Sequence, residues 1–318
     1  MTFMKSVGAA AVAAVMLTTS ASAETRITFK SAKAGSSYFQ MAVQIAEAMK
    51  TGTDGDIAVT VEESQGSVQN VMEVRARGAD YVFTTPPALV GLAQGGKAMF
   101  EGKGDPAFAD IRALFPIPSL TMHFVMSQDS GVTSFAQMEG KTILLGSGSF
   151  GATEGEKYLK LFGLEGKVTL ADSELSNAVN ALKNGQIDGF VTAGSFPAPN
   201  VIEAAASTGV TIISLDDDQI AASKRTRLTI PAGTYTGQTE DITTTSLPVV
   251  SYTTTKMDDD TAYMLTKTFW ETREAMAADA PWWAAVSAGM LENITTQIHP
   301  GAIRYYKEIG VPLNDAHM

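Results

Sequence analysis

The sequence contains no cysteine and only three histidines among its 318 residues. The absence of cysteine excludes disulfides and lipid attachment through a thiol, so the folded chain is held together by packing alone, as a large domain can be. The histidines form no HExxH pattern, and no GxSxG motif is present. The signatures of a zinc protease and of a serine hydrolase are therefore missing, and we predict no catalytic residue, metal or cofactor.

Long apolar runs are also scarce. One begins at Val7 and ends at Leu17, which is shorter than the ~20 residues needed to cross a bilayer. Lys5 precedes this run, and the small residues of 21–23 follow it as a cleavage site. The sequence therefore predicts a secretory signal over residues 1–23, cleaved before Glu24, and a mature chain that is not inserted in the membrane.

Positive charge is in deficit, since 23 Lys and Arg residues stand against 34 Asp and Glu, giving a net charge of −11. An acidic surface argues against nucleic acid and anionic membranes as partners. The hydrophobic content of 45% and the charged content of 18% are those of a globular protein. At ~100–200 residues per domain, the mature length suggests two lobes.

Short apolar runs alternate with helical periodicities, which is typical of βα units. Met41, Ile45 and Met49, for example, recur every four residues and predict one face of a helix. Residues 91–106 are rich in glycine and predict an exposed loop. We expect strands at 27–29, 57–61, 80–83, 121–127, 142–145, 189–191, 211–213 and 247–254.

This order of elements predicts an α/β fold of two lobes, the venus-flytrap arrangement of type II-like periplasmic binding proteins. The chain crosses between the lobes twice in such a fold, and the strands at 121–127 and 247–254 are the natural crossings. Lobe I then comprises 24–126 plus 251–318, and lobe II comprises 127–250.

Three predicted strand-to-helix turns hold small polar residues, at 33–38, 64–70 and 146–151. A helix start exposes backbone N–H groups at the positive end of the helix dipole, which favours a carboxylate or phosphate. Such turns meet at the carboxyl ends of strands, where open α/β sheets bind ligands. The same serines could simply cap their helices, and Lys33 is either the cation of the site or a solvated lysine.

Two enzymatic interpretations compete with the interpretation of these turns as an anion-binding site. The sequence GSGSFG at 146–151 matches the dinucleotide pattern G-x-G-x-x-G, but no acidic residue stands at the end of a second strand about 20 positions later. A hydrolytic or transfer enzyme would need a general acid or base, for which His123 and Glu154 are the candidates. Both residues have ordinary structural explanations, as a hydrogen-bonded histidine and a helix-dipole partner.

Five strings stand in order along the mature chain: GSSYF at 35–39, GSVQN at 66–70, LKNGQIDG at 182–189, IPAGTYTGQ at 230–238 and HPGA at 299–302. The ordered set resembles the TAXI family of solute receptors of TRAP transporters, and the string at 230–238 is its most specific member. The sequence departs from the family pattern at Thr84-Thr85 and at 149–152, both within expected ligand turns. The string at 299–302 is expected to be structural.

The resemblance implies a periplasmic receptor that binds glutamate, 2-oxoglutarate or another small carboxylate between its lobes. It passes this anionic ligand to an integral membrane TRAP permease, which runs on an ion gradient. The alternative is the binding protein of an ABC importer for an aromatic, sulfonate or vitamin-like ligand. The predicted ligand-binding residues are Lys33, Gly35, Ser36, Ser37, Tyr38, Ser67, Asn70 and Thr85 on one wall and Ser147, Ser149, Gly151 and Thr153 on the other, with Tyr235 and Gln238 as second choices.

Overall fold

A computed structural model describes residues 24–147 and 149–318. The predicted signal at 1–23 lies outside this part of the chain. The described strands are β1 Thr25–Lys30, β2 Ile57–Glu62, β3 Tyr81–Thr85, β4 Ile111–Ser127, β5 Thr142–Leu144, β6 Thr169–Ala171, β7 Gly189–Gly194, β8 Val210–Ile212, β9 Thr226–Ile230 and β10 Ile242–Thr254. The described α-helices are α1 Ser37–Gly52, α2 Ser67–Glu73, α3 Pro87–Gln94, α4 Phe150–Leu161, α5 Ala178–Lys183, α6 Pro199–Ser207, α7 Asp217–Ser223, α8 Asp259–Asp279 and α9 Pro300–Glu308.

These strands form one mixed sheet in the order β2-β1-β3-β10-β4-β7-β5-β6, with β8 on β4 and β9 on β10. In the lobe division that the sequence suggests, β1 to β3 fall in lobe I and β5 to β7 fall in lobe II. The long strands β4 and β10 run antiparallel between them, and they pair with β7 and β3 respectively. This arrangement confirms the α/β, two-lobe fold class. The lobe boundaries suggested by the sequence fall at the end of β4 and within β10, and they remain a proposal.

The helix α1 shows how local sequence and packing agree. Ser36 caps its start, and the Ser36 hydroxyl oxygen accepts a hydrogen bond from the Phe39 N–H at 3.2 Å. The predicted stripe of Met41, Ile45 and Met49 is buried. The stripe therefore fixes which face of α1 covers lobe I, and it orients the start of the helix toward the cleft.

The predicted loop at 91–106 is wrong at its beginning, because α3 extends to Gln94. Pro86 ends β3, and Pro87 then occupies the first turn of α3, where the missing N–H has no helical partner to lose. Phe100 is also buried, edge-on to Phe108 at 5.9 Å between ring centroids. The glycine-rich composition therefore led to a loop prediction that missed the end of α3 and the contact between Phe100 and Phe108.

β4 begins at Ile111, ten residues before the predicted strand at 121–127. Pro116 and Pro118 lie in this earlier part, and proline normally interrupts a sheet. The Pro118 carbonyl, however, accepts a hydrogen bond from the Tyr38 hydroxyl at 2.8 Å. Pro116 lies opposite Val250 of β10, and the register of the two strands shifts between Leu247 and Val249, opposite Pro118. Pro118 thus lies at a bulge, one of the places where a strand tolerates proline.

The segment HPGA at 299–302 forms the start of α9. The Nδ1 of His299 accepts from the Gly301 N–H at 3.2 Å, and its Nε2–H donates to the Met257 carbonyl at 3.1 Å. Burial lowers the pKa of His299. Gly301 packs directly on the beginning of α8, where an added Cβ would overlap the Asp259 carbonyl and lie 2.8 Å from the Tyr263 nitrogen.

We expect Gly301→Ala to destabilise the protein by about 1–3 kcal/mol, because the new methyl group would force α9 away from α8. Gly91→Ala is the control, since nothing lies within 4 Å of its added Cβ in α3. That change should stabilise by roughly 0.5–1 kcal/mol through helix propensity. Urea unfolding of the mature chain measures both, and equal stability of the two variants would contradict the packing argument.

Candidate functional site

The three strand-to-helix turns identified in the sequence meet at one cavity between the lobes. The first turn contributes Lys33 and Ser36, the second contributes Ser67, and the third contributes Gly146 and Ser149. The cavity has a volume of about 70 Å³. The turns come from both lobes, as expected when the carboxyl ends of parallel strands face each other across a cleft.

The floor of the cavity is apolar, although its rim is polar. Leu120 comes from β4 and Val249 from β10, so the two long strands form the base of the cleft. Ser31 follows β1, and Thr84 is the last residue but one of β3. Both add hydroxyl groups to the wall of the cavity. The side chains that make the floor apolar are Leu120, Leu145, Leu175, Val191 and Val249.

A larger cavity, of about 470 Å³, lies beside β4 between the Phe196 loop and the segment around Trp282. It is lined by none of the three turns. Among the described residues that line it, none carries a full charge. We therefore take the smaller cavity as the candidate ligand site, because of the two it is the one that combines helix starts with a cation.

Lys33 lies against Glu174, which is contributed by lobe II just before the 3₁₀ turn that leads to α5. The Lys33 Nζ and the Glu174 Oε1 are 2.6 Å apart, with 13% and 57% of the two side chains exposed. A second contact joins the lobes where the Ser195 N–H donates to the Ser37 hydroxyl oxygen at 3.0 Å. Both contacts hold the lobes together over the cavity, so Lys33 is a cleft residue and not a solvated surface lysine.

The predicted serines serve as helix caps as well as cavity wall. The Ser149 hydroxyl oxygen accepts from the Ala152 N–H at 3.0 Å, as Ser36 does at the start of α1. Ser147 lies on the outer side of its turn, where its hydroxyl donates to Asp172 Oδ1 at 3.0 Å. Capping and cavity lining thus coincide at Ser36 and Ser149, while Ser147 faces an adjoining open groove.

The other predicted residues of lobe II and α1 divide between these surfaces. Gly151 and Tyr38 line the cavity, and the Tyr38 hydroxyl is directed to β4. Thr153 lines the adjoining groove, of about 400 Å³, together with Ser147. Gly35 has a positive φ of 84° and shapes the first turn without lining the cavity.

Asn70 and Thr85 do not line the cavity. The Asn70 side chain is fully buried, and its Nδ2 donates to the Ser31 carbonyl at 2.7 Å and the Thr84 carbonyl at 2.9 Å. It thus ties the ends of β1 and β3 together behind the site. Thr84, one residue earlier in β3 than the predicted Thr85, provides the side chain on the cleft side.

The string at 230–238 forms a rigid turn between β9 and β10, away from the cavity. The Gln238 side chain accepts from the Tyr235 N–H at 3.1 Å and donates to the Pro231 carbonyl at 2.9 Å. The Tyr235 hydroxyl accepts from the Ala198 N–H at 2.9 Å and lies 2.8 Å from the Nε2 of His123. Tyr235 and Gln238 therefore join strands and loops of lobe II, as expected of a structural turn.

The two residues considered as general acid or base have structural partners. His123 is buried, with its Nδ1 3.2 Å from the Thr121 carbonyl. Burial lowers the pKa of His123 to about 4, so the ring is neutral near pH 7, with Nδ1 donating to Thr121 and Nε2 accepting from Tyr235. Glu154 forms a two-pronged ion pair with Arg225 at 2.9 Å. Neither residue lines the cavity.

Sequence reasoning missed Glu174, Thr84 and the apolar floor. Glu174 has no local signal, because its importance comes from Lys33, which lies far away in the sequence and on the other lobe. Val249 could have been inferred from the predicted crossing strand at 247–254, since side chains at a crossing must face the cleft on one side. Leu120 lies one residue before the predicted strand at 121–127. Within 24–147 and 149–318, no group of three or more His, Cys, Asp or Glu residues is arranged to hold a metal ion.

None of the described helices combines the length and the apolar composition that a membrane span requires. The sheet order and the interlobe cleft define the two-lobe fold of periplasmic solute-binding proteins. A model of the NMT1-like family matches residues 29–310, so the chain belongs to the NMT1-like family.

Solved structures of low sequence identity share this fold. The periplasmic binding protein BugD is 12% identical with a TM-score of 0.56, and the match covers 91% of this chain and 98% of that one. MatC from Rhodopseudomonas palustris with bound malate is 11% identical with a TM-score of 0.56, covering 85% and 96%. A protein from Bordetella bronchiseptica RB50 is 17% identical with a TM-score of 0.51, covering 93% and 85%.

The buried His123 predicts a pH dependence of stability. Its folded pKa of about 4 lies below the unfolded value of about 6.5, so the unfolded chain binds more protons between these two values. The free energy of unfolding should therefore fall as the pH drops from 6.5 to 4, by up to about 3 kcal/mol from this group. His123→Gln should flatten that part of the profile, measured by urea unfolding across this range.

Tyr235→Phe is the matched control for this experiment. It removes the hydroxyl partner of His123 but leaves the histidine to titrate, so it should lower stability by about 1–3 kcal/mol and keep the slope. Parallel pH profiles for wild type and His123→Gln would show that His123 does not titrate as its burial requires.

Proposed function

We propose that this protein is the extracytoplasmic solute receptor of a TAXI-type TRAP transporter and that it captures a small carboxylate in the interlobe cleft. The observation that carries the proposal is the convergence of three helix-start turns and Lys33 on one cavity. The membership of the NMT1-like family and the ordered TAXI-like strings support the receptor role. MatC, a protein of the same fold, was solved with bound malate, which is a dicarboxylate.

The capture mechanism follows from the two-lobe geometry. Lobe I (24–126 plus 251–318) and lobe II (127–250) would move about β4 and β10, which are the strands that pass between them. A ligand that contacts turns of both lobes binds the closed form more tightly than the open form, and this difference drives closure. The contact of Ser37 with Ser195 then closes over the bound solute.

The site of action in this proposal is the periplasm, reached through the predicted signal at 1–23. The loaded receptor would deliver its ligand to an integral membrane TRAP permease. The net charge of −11 is consistent with a partner other than nucleic acid.

A carboxylate panel tests ligand binding by the mature chain. A true ligand at 100 times its Kd should raise the free energy of unfolding by ~2.7 kcal/mol. Lys33→Ala should weaken binding at least tenfold, equal to about 1.4 kcal/mol, because Lys33 is the cation at the cavity. Lys157→Ala, on the exposed face of α4, is the control and should bind as wild type does. Thermal shift and calorimetry measure both, and wild-type affinity in Lys33→Ala would overturn the assignment of the site.

Uptake of the identified ligand tests the transporter class. In cells that depend on this receptor, collapse of the ion gradient should abolish uptake. Depletion of ATP with the gradient maintained should leave the rate of uptake unchanged. The reverse pattern would favour an ABC importer, because such importers are driven by ATP.

A further inference from the structure

We propose that the ligand carries a single carboxylate on an apolar body, and that the cleft rejects dicarboxylates. This inference rests on the proposed receptor function and names the ligand class of the same cavity. It narrows the expectation from the TAXI resemblance, in which glutamate and 2-oxoglutarate each carry two carboxylates.

The first argument is the supply of positive charge. Among the described residues that line the cavity, Lys33 is the one with a full positive charge. One carboxylate can pair with it at hydrogen-bond distance. A second carboxylate on the same ligand would find hydroxyl groups and backbone N–H groups but no further cation at the wall.

The second argument is the negative charge around the turns. Glu174 already lies 2.6 Å from Lys33. Glu63 accepts from the Ala34 N–H at 3.0 Å in the first turn, and Asp172 accepts from the Ser147 hydroxyl at the third turn. Glu174, beside Lys33, acts against a second negative charge on the ligand because like charges at short range repel. Glu63 and Asp172 are exposed and do not line the cavity, so water and salt screen their contribution.

The third argument is the floor. Its leucine and valine side chains offer no hydrogen-bond partner, and burial of an unpaired carboxylate against such a surface is costly. An apolar group gains free energy on the same surface. A cavity of about 70 Å³ holds roughly five to seven water-sized groups, so the body of the ligand is a short hydrocarbon chain.

Glu174 acts as a gate for this ligand. Because it occupies Lys33 from the opposite lobe, an incoming carboxylate must displace it from the Lys33 ammonium. Glu174 is more than half exposed, so the displaced carboxylate returns to water at small cost. A ligand without a carboxylate gains nothing from displacing this pair.

A matched set of ligands tests the inference by calorimetry on the mature chain. Succinate, 4-methylpentanoate and 4-methylpentanamide share the same number of non-hydrogen atoms and nearly the same shape, since carboxylate, amide and isopropyl groups are all branched. We expect 4-methylpentanoate to bind at least tenfold more tightly than succinate and than the amide. Leucine and aspartate form a second pair, because they too differ by an isopropyl group in place of a carboxylate. Leucine should bind more tightly than aspartate.

Two variants locate the effect. Glu174→Gln removes the competing charge and keeps the size of the side chain, so it should tighten 4-methylpentanoate binding about threefold to tenfold and narrow its advantage over succinate. Glu203→Gln, exposed on α6 and remote from the cavity, should change neither value. Lys33→Met keeps the alkyl stem and should remove the preference for the acid over the amide.

The outcomes separate this inference from the receptor function. Tighter binding of succinate or aspartate than of its apolar partner overturns the inference and leaves the receptor function standing. Equal binding of acid and amide overturns the role of the carboxylate. If no carboxylate of either kind binds the wild-type protein, the proposed function fails and the inference fails with it. Unchanged affinities in Glu174→Gln overturn the gate.

Discussion

The antiparallel pairing of β4 with β10 is the constraint on which the rest of the structure depends. These strands place the two halves of the sheet on either side of one crossing, and Leu120 and Val249 on them form the floor of the cleft. Residues at or just after the carboxyl ends of β1, β3, β5 and β7 line the same cavity. The candidate ligand site is thus a consequence of topology before it is a consequence of any one side chain.

Charge at the cleft is arranged across the lobes and not within one of them. Lys33 lies in the first turn and its partner Glu174 lies just before α5, so the ion pair joins the two sides of the cleft. Exposed ion pairs contribute little to stability on their own. The pair matters more as a chemical filter, because it decides which ligands can take the place of the Glu174 carboxylate beside Lys33.

The most recognisable string of the sequence does not form the cavity. Residues 230–238 fold into a turn locked by Gln238, and Tyr235 connects that turn to His123 and the Ala198 backbone. Such a network requires several exact residue types because each buried polar group needs a partner. A family signature can therefore mark a structural joint as easily as a binding surface, and only the contacts of Tyr235 distinguish the two.

The sequence by itself determined the α/β class, the later parts of β4 and β10, the helix faces such as Met41, Ile45 and Met49, and the three polar turns, because periodicity and turn chemistry are local properties. It did not determine the early start of β4 through Pro116 and Pro118, the choice of Thr84 over Thr85, or the role of Asn70 behind the site. Those depend on which neighbour each backbone edge and side chain meets. The tertiary structure alone brought Glu174 to Lys33 and assembled the apolar floor, since contacts between residues distant in the chain leave no pattern in either segment.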